Sequence, residues 1–152
     1  MAYTTADARQ QLLDTLAKAA EELGLALASL TEAYEQLDEQ NAEKLEQELF
    51  RPVQMAYGRA KRTHAEFAFR HELAGRPFPA PTPGAPSRGV KGFVESAVDA
   101  VERADATLAT LQDSMLPVEV GDPELRAGLE AVRLALDHTR AHAREFVRTL
   151  GR

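Results

Sequence analysis

The chain contains no cysteine and no tryptophan. Without thiols, disulfides, thiolate metal sites and cysteine nucleophiles are excluded. Long apolar runs are missing too, since no stretch approaches the roughly 18 residues needed to span a bilayer. The opening "MAYTTADARQQ" has neither a basic region nor an apolar run and does not read as a secretory signal. Strict alternation of apolar and polar residues, which a half-buried strand needs, occurs nowhere. Lysine is scarce, with 4 residues against 14 arginines, and no arginine-rich motif accounts for the imbalance. The expectation from these absences is a cytoplasmic protein with no membrane partner and no strands.

The sequence has 152 residues, 44% of them apolar, which suits a single domain over 1–152 with its own core. A net charge of −6 argues against general nucleic-acid binding. Apolar residues recur at steps of three and four, the spacing of a helix with one buried stripe. Four such seams are present: Leu13 to Leu37, Phe50 to Ala74, Val90 to Met115 and Leu125 to Leu150. They predict an all-α protein with helices over about 5–38, 42–74, 89–115 and 123–150. Short connections favour antiparallel neighbours, so the expected fold is an up-down-up-down four-helix bundle whose first two helices are long.

Local signals agree. "GDPEL" ends one element at Gly121 and opens the next with Asp122 as N-cap and Pro123 behind it. "TTAD" at 4–7 resembles a capping box with Asp in place of Glu. Asn41 is the expected cap of the second helix, the alternative being one rod kinked at Pro52. Ala19, Ala26 and Ala33 repeat every seven residues beside the first seam. Such small residues admit a close neighbour, either another helix of this chain or a second copy. Overhanging ends and the residues Leu45, Leu49 and Phe50 point to a homodimer.

Between the second and third helices lies "GRPFPAPTPGAPSRG", which holds five of the eight prolines. Such a segment favours extended polyproline II and resists helix, giving a stiff crossover linker over 75–88. Phe78 is expected to fold back on the bundle end.

Charge is sorted along the chain. Residues 1–48 sum to −8, 49–91 to +6, 92–137 to −7 and 138–152 to +3. In the expected topology the basic blocks meet at one pole, gathering Arg62, Arg70, Arg76, Arg88, Lys91, Arg144, Arg148 and Arg152. The macrodipole alone favours cations at helix C-termini. A functional reading is a site for an acidic partner or anion carried by Arg70, Arg144 and Arg148.

The plainly polar seam positions are His64, His71 and Thr139. His64 and Thr139 are expected at one level amid alanines, joined by a hydrogen bond, a trapped water or a modest pocket. His138 and His142, in "HTRAH", have the i, i+4 spacing that can place two imidazoles on one ion. With His64 they would make a three-histidine site for a divalent metal such as zinc or nickel. That set is similar in outline to DinB-like bundles. The resemblance implies a metal-binding four-helix protein with one histidine from an earlier helix and a spaced pair from the last.

Other chemistry is not legible. No Glu-x-x-His occurs, the seams hold no carboxylate, and there is no phosphate-cradling glycine loop or nucleophile elbow. The expected function is non-enzymatic: a helical interaction or scaffold protein without a cofactor, using a basic pole beside a proline-rich loop. Its alternative is a metal- or small-ligand-binding bundle centred on His64.

Overall fold

The computed structural model describes residues 5–82 and 89–150, and every element among them is helical. Helix α1 spans Thr5–Gln36, α2 spans Glu39–Leu45, and a π turn over Glu46–Phe50 leads without a break into α3, Arg51–Arg70. Then come α4 (Gly89–Asp113), a short α5 (Leu116–Val120) and α6 (Pro123–Leu150). No helix among the described residues is long and apolar enough to cross a membrane. The Thr4 cap, "PGAPSR" with Arg88, and Arg152 lie outside the described residues.

The turn after α1 is real, but Asp38 caps α2 rather than Asn41. The Asp38 carboxylate accepts the Asn41 backbone N–H at 2.8 Å and its side-chain amide at 2.9 Å. Asn41 is thus the third residue of the helix, and its backbone N–H is one of the orphan donors that the Asp38 carboxylate satisfies. Pro52 does not kink a rod formed by the first two helices. Proline cannot donate to the carbonyl four residues back and clashes with it. The π turn just before it widens the helix, with the Arg51 N–H reaching the Glu46 carbonyl.

Helix α3 stops at Arg70, four residues earlier than the seam suggests. Glu72 takes the left-handed conformation (φ 56°) and the Leu73 N–H returns to the Ala68 carbonyl at 2.8 Å. That is a Schellman closure with a non-glycine residue in the position glycine favours.

The core is continuous. It is built from leucines and alanines of α1, Val53, Ala60 and Phe67 of α3, Phe93 to Leu111 of α4, and Leu125 to Phe146 of α6. Helix α1 packs most extensively on α4 and also on α3, while α6 packs on α3 and α4. Ala19, Ala26 and Ala33 are fully buried, as are Ala100 and Ala104 of α4. The alanine repeat therefore serves packing inside this chain. Leu45 and Leu49 are buried as well and Phe50 is half-buried against the core, so two of the three residues expected to bind a second copy pack within this chain.

Side-chain pairs show which ends meet. At one end Arg70 of α3 binds Asp122, just before α6, and Glu124 within it. At the other end Lys91 of α4 shares a cleft with Arg144 and Arg148 of α6. Between them Arg103 pairs with Glu22, and Arg133 with Asp105. These contacts overturn the expected up-down-up-down order, in which the end of α3 lies beside the start of α4. The physical reason is the reach of the proline-rich segment. At up to about 3.1 Å per residue, the 19 steps from Arg70 to Gly89 allow a reach of about 59 Å. Helix α4, at 1.5 Å per residue, is only about 37 Å long.

Candidate functional site

The basic residues expected at one pole are divided between two ends. Arg70 is committed: its guanidinium donates to both oxygens of Asp122 at 2.9–3.0 Å and pairs with Glu124 at 2.9 Å. The His71 Nε2 also lies 2.8 Å from Asp122. Asp122 further caps α6 by accepting the Leu125 N–H at 3.0 Å. Burial works against its charge, but the Leu125 N–H, His71 and Arg70 outweigh it and hold the carboxyl below its ordinary 3.8. An ionised carboxylate only accepts, so the His71 Nε2 carries the proton in this contact. The arrangement is a structural knot that ties α3 to α6.

Arg144 and Arg148 sit at the opposite end. With Lys91, Glu95, Val98, Asp99, Ala143 and Val147 they line a cleft of about 510 Å³ between α4 and α6. Lys91 makes a long pair with Glu95 at 3.9 Å, and Arg148 pairs with Glu145 at 3.6 Å. Three cations and two carboxylates, Glu95 and Asp99, thus line the cleft with an apolar floor, and Glu145 adds a third carboxylate beside Arg148.

His64 and Thr139 are both buried, but not together. Thr63 stands against Gly128, where an added Cβ would lie 2.4 Å from the threonine hydroxyl. This fixes the level of His64 on α6, and Thr139 is eleven residues, or about 16 Å, further along. The Thr139 hydroxyl has no hydrogen-bond partner among the described residues. His64 instead meets Phe78, ring edge to ring face, with centroids 5.2 Å apart at 86°. Phe78 folds back as expected, but onto the side of the helices rather than their end. Burial lowers the His64 pKa from 6.5, and the Asp14 carboxylate only partly opposes this.

Of the three histidines of the expected metal site, His138 and His142 are together and His64 is apart from them. His138 and His142 stack with centroids 4.4 Å apart, and His142 Nδ1 lies 2.8 Å from the His138 carbonyl. That nitrogen must donate there, which withdraws it from metal ligation. His138 is ten residues from the level of His64, about 15 Å. Among the described residues no group of three or more histidines, cysteines or carboxylates is arranged to hold a metal ion.

Two features lie outside the seam reading. Asp105 is a buried carboxylate beside the third seam, held by Arg133 at 3.0 Å and Arg140 at 3.1 Å. Its hydrogen bond raises the Arg133 pKa, while the Glu102 hydrogen bond does so first for Arg140, with Asp105 adding to it. The signal was available: Arg133 and Arg140 are seven apart, one face of α6 opposite Asp105. The other feature is a groove between α1 and α3 around Tyr57, crossed by the proline-rich strap.

Comparison with family models, with curated proteins and with solved structures finds no match to this chain.

Proposed function

We propose that this chain is a four-helix bundle of up-down-down-up order, the α2–α3 rod counted as one helix, that works by binding and not by catalysis. Its partner is an acidic protein segment or anion, received in the cleft between the start of α4 and the end of α6. The observation that carries this reading is the grouping of Lys91, Arg144 and Arg148 around the apolar floor of Val98, Ala143 and Val147. Arg144 has no ion pair among the described residues, so its charge is free for a ligand. Arg70 drops out of the expected site because Asp122 and Glu124 already neutralise it. The reading does not need the expected homodimer, for which Phe50 alone of Leu45, Leu49 and Phe50 is left partly exposed.

The test is a titration with a fluorescent glutamate-rich peptide. Arg144→Glu with Arg148→Glu is expected to weaken binding at least about tenfold, a change of about 1.4 kcal/mol. Raising salt should weaken it further, as screened charges require. The control is Arg51→Glu with Arg62→Glu, an equal charge change on α3. Equal losses in both double variants would mean that net charge, not the cleft, attracts the peptide.

A further inference from the structure

The strap that follows α3 is held to the helices by side chains alone. After the Leu73 N–H, no residue through Thr82 makes a backbone hydrogen bond among the described residues. Its anchors are Arg76, which pairs with Glu21 and lies 5.0 Å from the Phe78 ring, and Phe78, which packs against His64. A chain laid down this way does not seal the groove beneath it. Two hollows of about 360 and 450 Å³ remain beside Phe78, and both are lined by Gly24, Tyr57, Phe78, Ala80 and Pro81.

These volumes fall in the range of small-molecule sites, which are mostly apolar with a few placed polar groups. The walls here are leucine, alanine, proline and aromatic side chains. The lining charges balance in sign: Glu21 is paired with Arg76 in one hollow, and Glu32 and Lys61 both line the other. Such balance gives no advantage to a charged ligand. One polar group is uncommitted: the Tyr57 hydroxyl has no hydrogen-bond partner among the described residues. It lies over Gly24, where a Cβ would stand 3.4 Å from it. A side chain longer than alanine at 24 would press on the phenol at the floor of the groove. Lys61 lies 4.2 Å from the Tyr57 ring centroid and holds the ring from one side.

We propose that the groove between α1 and α3, under the strap, is a binding site for a small neutral aromatic molecule bearing one hydrogen-bonding group, which Tyr57 receives. The site is separate from the α4–α6 cleft and does not depend on it.

The probe is indole, a neutral planar ring with a single N–H, followed by amide and methyl NMR shifts of the full chain. Saturable shifts confined to Leu25, Leu27, Ala28, Lys61 and Ala80 are expected. Tyr57→Phe keeps the walls but removes the hydroxyl, and should weaken binding about threefold or more, the scale of one net hydrogen bond. Ala28→Phe fills the larger hollow from the helix side and should weaken binding at least about tenfold. Ala80→Trp does the same from the strap, without touching the core, should Ala28→Phe fail to fold. Shifts that never saturate, that spread over other faces, or that persist unchanged in a folded filling variant would overturn the proposal.

Discussion

Two buried titratable side chains, His64 and Asp122, divide the acid response of this protein between two pH windows. Burial makes the His64 imidazole bind protons less readily in the folded chain than in the unfolded one, so unfolding takes up protons. Stability is then complete above pH 6.5 and falls as pH drops below it. Asp122 has a folded pKa below 3.8, so its contribution is present above that value and is lost as pH falls through the folded pKa. His64→Leu should flatten the slope of unfolding free energy just below pH 6.5 and leave the steeper loss below pH 3.8. Asp122→Asn should do the reverse. Urea unfolding from pH 8 to 3 reads both, and an unchanged slope below pH 6.5 in His64→Leu would contradict the burial argument. The sequence showed that His64 and Thr139 are core residues because both sit on apolar seams. It did not show that they are apart, because seam position fixes a residue's face and not its level against another helix. Asp105 escaped for a related reason: it stands one position beside the seam, where two arginines of another helix make its burial tolerable.

At the scale of the elements, helix-on-helix approach decides what a glycine is for. Glycine inside a helix ordinarily costs about 1 kcal/mol relative to alanine. At Gly58 nothing lies within 4 Å of an added Cβ, so Gly58→Ala should stabilise by about 0.5–1 kcal/mol. At Gly128 the same methyl would meet Thr63 at 2.4 and 2.6 Å, and its Cβ at 3.1 Å. Threonine is β-branched and stiff, so it cannot swing away cheaply. Gly128→Ala should therefore destabilise by about 1–3 kcal/mol, with overpacking beating propensity. Thermal unfolding of the two variants checks this, and stabilisation at both positions would deny the close approach of α3 and α6. Element boundaries were legible where caps were strong, as at Gly121 and Asp122. They were not where the geometry used unusual residues. Glu72, a non-glycine residue, closes α3 in a left-handed conformation, and a π turn absorbs Pro52 where a kink was the ready alternative.

For the molecule as a whole, the proline-rich strap governs the order of the helices and with it the location of charge. The seams made the all-helical character legible and roughly where the long helices lie, but a seam carries no direction. Sorted charge suggested one basic pole, yet the same sorting is satisfied by local pairs: Arg70 with Asp122 and Glu124 at one end, Lys91 with Glu95 at the other. The deciding signal was the strap's length and composition, since a stiff segment able to run the length of a helix frees its ends from adjacency. This order separates Arg70 from Lys91, Arg144 and Arg148, which stay together because α4 and α6 run antiparallel in either order, and it lays Phe78 into the groove over Tyr57.

The most direct test of that order is a pair of electron–electron distances, which the absence of native cysteine makes simple to measure. Spin labels would be placed at Phe69→Cys, Lys91→Cys and Arg148→Cys, all exposed positions. The account predicts a short 91–148 distance, near the roughly 10 Å spacing of packed helices plus the label arms. It predicts a long 69–91 distance of about 30 Å, the length of α3. Short distances for both pairs would put the end of α3 beside the start of α4, contradict the crossover, and return the basic residues to a single pole.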